Sequence, residues 1–168
     1  CITEHNILWQ EREQDEIVNK FKSKIKIFFG IEVDTEIGHI LLFGSDLKKI
    51  DSVIHLKDLL KKIERKRCAL IWAHPFRWES SYPTKHLLNE KFLSNFDAIE
   101  LYNGNLSNDV IETSKQKLNK FSLKLTGASD THSRKMSCKY ATKFDDDINN
   151  LEELVLALKY KEYKPITL

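Results

Sequence analysis

The sequence is short of the residues that divide a chain. Its 168 residues hold only five glycines and three prolines, and no Pro/Gly-rich linker interrupts them. A single domain over residues 1–168 is therefore expected, long enough to bury a sizeable core. Cysteine is scarce and scattered: Cys1, Cys68 and Cys138 are odd in number and far apart. They fit neither a disulfide framework nor a zinc knuckle, and point to reduced thiols in a cytoplasmic setting. No apolar run approaches the length of a membrane span. Neither sign of charge prevails, since 27 Lys and Arg face 25 Asp and Glu for a net charge of +2. That balance argues against a long nucleic acid or a membrane surface as partner. Repeats and low-complexity tracts are also missing. The opening "CITEHNILWQ" has no basic leader. It starts in the middle of a strand-like run, so further sequence is expected upstream of Cys1.

What is present is an alternation of strands and helices. "EREQDEIVNKFKSK" reads as a charged helix. "KIKIFFGIEV" alternates with period two and reads as a strand, with "HILLFG" as a second one after a polar turn. Leu56, Leu59, Leu60 and Ile63 fall at helical spacing. "CALIWAHP" is a short buried strand ended by proline, "TKHLLNEKF" is helical, and "FDAIELYNG" is a strand ended by Asn-Gly. An Asn or Ser cap opens "SNDVIETSKQKLNK" as a helix. "FSLKLTGASD" is another strand, Leu151, Leu154, Val155 and Leu158 form the stripe of a last helix, and "YKPITL" closes as a strand. This order predicts an α/β fold with a mainly parallel sheet.

Ligand-type residues recur where the strands end: Glu32, His74, Asn103 and Asp130. Both barrels and open α/β sheets put their sites there. Parity adds to this. Ile25, Ile27, Phe29, Ile31 and Val33 share one face, so Glu32 points the other way, into the interior, where an unpaired carboxylate is costly. Of six histidines, His5, His39, His74 and His132 stand beside other site-type residues, whereas His55 and His86 read as surface residues. Histidines with Asp and Glu form the ligand set used for Zn, Mn or Fe. Glu32 could bridge two ions, which together would clamp a phosphoryl group and activate a water. Each residue also has an ordinary reading. His74 can be a strand-end histidine and His39 a half-buried one bonded to a carbonyl. Glu32 can pair with Lys26, Asp130 or Ser129 can cap a helix, and His5 can be mobile.

Taken together, "ITEHN", "GIEVDTEIGHILLFG", "AHPFR", "IELYNG" and "TGASDTHS" resemble, in order, the motifs of the PHP (polymerase and histidinol phosphatase) family of metal-dependent phosphoesterases. The resemblance implies a distorted (β/α)7 TIM-like barrel with two or three divalent ions at the C-terminal ends of its strands. It implies Glu32 as bridging carboxylate, His39 and His74 as ligands, Asp130 as a ligand of the first ion, and His132 and His5 as histidines of a third. Asp130 and His132 are also expected to serve the chemistry. Asn103 matches a motif position with an orienting role. Arg77 and Arg134 are candidates for holding phosphate, with a surface salt bridge as the alternative for each. Two departures stand out: the opening His-x-His strand is absent, and Glu4 replaces the usual Asp. The first departure is expected to reflect truncation. The function implied is hydrolysis of a small phosphoester of the nucleotide or sugar phosphate type. The alternatives are a non-catalytic PHP-like binding module and a metal-dependent hydrolase of another bond.

Overall fold

The computed structural model describes residues 1–77, 87–133 and 138–168. Six strands form one curled, half-barrel sheet in chain order. They are β1 (Ile2–His5), β2 (Phe29–Thr35), β3 (Gly38–Phe43), β4 (Ala69–Trp72), β5 (Ala98–Asn103) and β6 (Leu125–Ala128). The pairs β1–β2, β4–β5 and β5–β6 are parallel. β3 runs antiparallel to both neighbours. The β2–β3 reversal is local: a tight turn returns the chain at Gly38, whose φ of 99° suits glycine. The fold is thus α/β, as the alternation predicts. The expected closed seven-stranded barrel goes beyond what is seen, because β1 and β6 stand at the edges of the sheet.

The helices are α1 (Glu11–Phe21), α2 (Leu56–Lys62), α3 (Glu90–Leu93), α4 (Asn108–Leu118) and α5 (Leu151–Tyr160). Three carry their own start signals. The side chains of Asn89, Ser107 and Asn150 each accept a hydrogen bond from a backbone N–H in the first turn of α3, α4 and α5, satisfying donors that the helix cannot. A second, two-stranded sheet pairs β7 (Tyr140–Phe144) with β8 (Tyr163–Thr167). It flanks β6, where the Thr142 hydroxyl donates to the Gly127 carbonyl and accepts from the Gly127 N–H, both at 3.0 Å.

Side-chain alternation gives the sheet two apolar faces. The outer face carries Ile31, Val33, Ile40, Leu42, Leu70, Trp72, Ile99 and Leu101, packed with Leu56 and Leu59 of α2 and Leu118 of α4. Trp72 is fully buried, stacks on Phe96 and donates its indole N–H to the Ile37 carbonyl. The inner face carries Phe43, Ala69, Ile71 and Ala98, covered by Leu154, Val155 and Leu158 of α5. The last helix therefore plugs one end of the half-barrel, and the other end is left for polar residues.

Three expectations need correction. The strand read over residues 24–33 begins only at Phe29: the Lys24 and Ile25 N–H groups donate to the Phe21 carbonyl and close α1, and Ile25 is exposed. The helix read as "TKHLLNEKF" falls partly on residues 84–86, outside the described residues. Beyond them, Asn89 is extended (φ −143°, ψ 155°) and starts the single turn of α3. Strand β7 was not among the expected elements. Its burial is mixed, and its partner lies 19 residues further on, so neither a long apolar run nor a hairpin turn marks it.

Candidate metal centre

Pairing sets the first four residues of the site. β1 and β2 place His5 beside Glu32. β2 and β3 place Asp34 opposite His39. Cross-strand partners share a face, and Glu32 and Asp34 are two apart, so all four side chains look into the half-barrel. Alternation along β4 would send His74 outward with Trp72. His74 instead has φ 29°, a left-handed turn that breaks the alternation. It is buried and faces Glu32. Asn6 and Asp130 also have positive φ, 58° and 47°. Asn, Asp and His tolerate this region better than other residues, and strained backbone gathers at functional sites.

Glu32 is the hub. Its Oε1 lies 2.7 Å from His39 Nδ1 and 3.4 Å from His74 Nε2. Its Oε2 lies 3.9 Å from His5 Nε2. The two carboxylate oxygens therefore face different histidines. Burial by itself would raise the Glu32 carboxyl, but the hydrogen bonds and charge of these imidazoles outweigh it and hold it far below the usual range. The alternative pairing with Lys26 is not made, since the Lys26 ammonium donates to Asn149. Among the described residues, two groups of side chains are close enough to hold an ion: Glu32, His39 and His74, and His5, Asp34 and His39.

On the far wall, Asp130 accepts hydrogen bonds from Arg77 (3.0 Å) and Asn103 (3.2 Å) on Oδ2. Its backbone carbonyl accepts from Asn105, and His132 Nδ1 lies 3.0 Å from the same oxygen. Arg77 is thus paired with Asp130, and the salt bridge weighed as its alternative role is present. A register shift between Glu100 and Tyr102 adds a residue to β5, so that Asn103 joins Glu100 on the inner face. The Asn103 amide donates to Glu100 Oε2 at 2.9 Å, and the His74 backbone N–H donates to the same oxygen at 2.9 Å. Burial pushes the Glu100 carboxyl up to about 7, against the pull of His74 and these two donors. Two buried carboxylates thus shift in opposite directions: at Glu32 the hydrogen bonds and charge of the imidazoles outweigh burial, whereas at Glu100 burial outweighs the charge of His74 and the two donors.

A cavity of about 450 Å3 joins the two walls, lined by His5, Glu32, His74, Glu100, Asn103, Asp130 and His132 among others. Of the six expected metal ligands, His5, Glu32, His39 and His74 come together. Asp130 and His132 line the same cavity but belong to neither ion-holding group. The His132 side chain is 57% exposed at the mouth. Arg134 and His86 lie outside the described residues. His55 is exposed beside Glu36, as read for a surface histidine. Sequence reasoning missed Asp34 and Glu100. Parity would have found Asp34, which shares the face of Glu32. Glu100 sits between Ile99 and Leu101, where the same count applies.

A family model described as PHP-associated matches residues 112–162. The likeness to PHP proteins is shown by that match. It covers the C-terminal third of the chain. A solved structure from Bacteroides vulgatus, a two-domain protein containing a predicted PHP-like metal-dependent phosphoesterase, is similar at 21% identity with a TM-score of 0.47. The match covers 78% of this chain and 42% of that one, so the chain spans less than half of that protein's length. No curated protein matches the sequence. Among the described residues, no helix is long and apolar enough to cross a membrane.

Proposed function

We propose that this chain carries the metal site of a phosphoesterase that hydrolyses a small phosphoester, of the nucleotide or sugar phosphate type. One observation carries the reading: a buried carboxylate, Glu32, whose two oxygens face separate histidines. A carboxylate in that position suits a bridge between two divalent ions. The donors, imidazole nitrogen and carboxylate oxygen, suit Mn, Zn or Fe. Under this reading the half-barrel is the greater part of a distorted (β/α)7 barrel, and residues 1–168 are one domain of it. Its ligands stand on the rim where the parallel strands end.

Bound ions would supply Lewis acidity and an activated water. The chain's own residues do the rest. His39 and His74 attend one oxygen of Glu32 and His5 the other, and these residues would hold the ions. Asp130 and His132 bring further donors from the opposite wall, either to a third ion or to the reacting groups. Arg77, at the rim, is placed to grip phosphate oxygens with its guanidinium fork while keeping Asp130 in place. Asn103 holds Asp130 from below. His132, at the exposed mouth, can pass a proton to the leaving oxygen. The cavity admits a small ester. With a net charge of +2 there is little to attract a long polyanion.

The test is hydrolysis of nucleotide and sugar phosphates by the Mn-, Zn- or Fe-loaded protein. Glu32→Ala and His74→Ala should each remove most turnover while circular dichroism stays unchanged. Full turnover in either variant would overturn the reading. One observation favours a second reading, a PHP-like module with a binding role: the PHP-associated match holds only Asp130 and His132 of the candidate site. Stoichiometric metal without turnover on any phosphoester would favour that module.

A further inference from the structure

Asp34 has no role in the expected ligand set, yet it touches two members of it. Its Oδ1 lies 3.0 Å from His5 Nδ1 and 3.4 Å from His39 Nε2. The carboxylate is itself fixed. Asn6 donates its side-chain amide to Asp34 Oδ2 at 2.7 Å, and the Asp34 backbone N–H donates to the Asn6 side-chain carbonyl at 2.9 Å. This reciprocal pair ties the end of β1 to β2, and Asn6 adopts φ 58° to make it.

The opposite nitrogens of the two rings look the other way. His39 Nδ1 and His5 Nε2 face Glu32 Oε1 and Oε2 respectively. An imidazole that donates from one nitrogen offers a lone pair at the other. We propose that Asp34, clamped by Asn6, is a positioning residue that holds the proton on His5 Nδ1 and so aims the His5 Nε2 lone pair at the Oε2 side of Glu32. The inference rests on the two-ion reading above and deepens it. Asp34 reaches His5 because it lies two residues from Glu32, the strand partner of His5. His5 takes the Nδ1–H form. Carboxylate partners of ligand histidines act in this way at metal sites, and their loss typically lowers metal affinity by about 10–100-fold.

A competing role is open to the same carboxylate, because Asp34 could itself bind an ion with His5 and His39. Stoichiometry separates the two. The experiment titrates zinc into metal-stripped wild-type protein, Asp34→Ala and Asp34→Asn by calorimetry, and records 15N spectra of the histidine rings in the zinc-loaded forms. Positioning predicts an unchanged number of ions, an affinity lower by about 10–100-fold in Asp34→Ala, and partial recovery in Asp34→Asn, which keeps an acceptor oxygen. It also predicts Nδ1–H for His5 in the wild type. Loss of one whole ion in Asp34→Ala would overturn the proposal in favour of direct ligation. Unchanged affinity, or His5 protonated on Nε2, would overturn it as well. A wild type that binds no zinc at all would instead defeat the two-ion reading on which it stands. Thermal melts of both variants show whether they fold.

Discussion

Replacing Asp97 with Ala takes away the acceptor shared by two cations and a backbone N–H. Asp97 accepts from Arg65 at 2.9 and 3.2 Å, from Lys159 at 3.1 Å and from the Leu70 N–H at 2.8 Å. The side chains of Asp97 and Lys159 are only 11% and 8% exposed. Lys159 also donates to the carbonyls of Arg65 and Cys68, so this group pins the end of α5 to the base of the sheet. Removing one member of a buried ion pair leaves the others desolvated, and costs about 3–5 kcal/mol. Asp97→Asn keeps the shape and an acceptor, so it should cost less. The pH dependence gives a second check. Burial opposes ionisation of Asp97, but hydrogen bonds from Arg65 and Leu70, the Arg65 charge and Lys159 together lower its pKa. A carboxylate lowered in the folded state contributes stability above its unfolded pKa of about 3.9 and loses it as pH falls through the folded value. The wild type should therefore lose stability below about pH 4 more steeply than Asp97→Asn. Urea unfolding of metal-stripped protein from pH 2.5 to 7 measures both. A cost under about 1 kcal/mol for Asp97→Ala, or parallel acid limbs, would refute the reasoning.

Glu100 should show the opposite slope. Its carboxyl is raised from 4.5 to about 7 by burial, so the folded state holds a proton that the unfolded state has lost, and stability falls as pH rises through that window. Metal-stripped Glu100→Gln should lack this decline in urea unfolding, and an unchanged decline would contradict the assignment. Gly104 is needed for close approach, because a Cβ there would run into the Ser129 carbonyl. Gly104→Ala should cost about 1–3 kcal/mol in thermal or urea unfolding and displace the turn that carries Asp130. A crystal structure of the variant with that turn unmoved would count against it.

The sequence makes much of the frame legible. Ser107, the serine of the two cap candidates, caps α4. The Leu151, Leu154, Val155 and Leu158 stripe faces the sheet, and the parity of β2 puts Glu32 inside. These signals are local, since a period or a cap needs only neighbouring residues. What was not legible depends on distant partners. Residues 24–27 alternate like a strand but pair with none of the described strands. β7 gains its place from β8 and β6. His74 faces inward through a left-handed backbone, and Asn103 through a bulge, and neither leaves a mark in the pattern of apolar residues. Asp34 was missed for another reason: it shares the face of Glu32 and lies within the stretch "GIEVDTEIGHILLFG", but the resemblance gives it no role.

The most direct test of the central claim is the number of metal ions held per chain. Elemental analysis of dialysed wild-type protein, Glu32→Ala and His74→Ala would measure it. Two or more divalent ions per wild-type chain, with fewer in both variants, is the predicted result. A folded wild-type protein with no stoichiometric metal, or variants that hold as many ions as the wild type, would contradict the account.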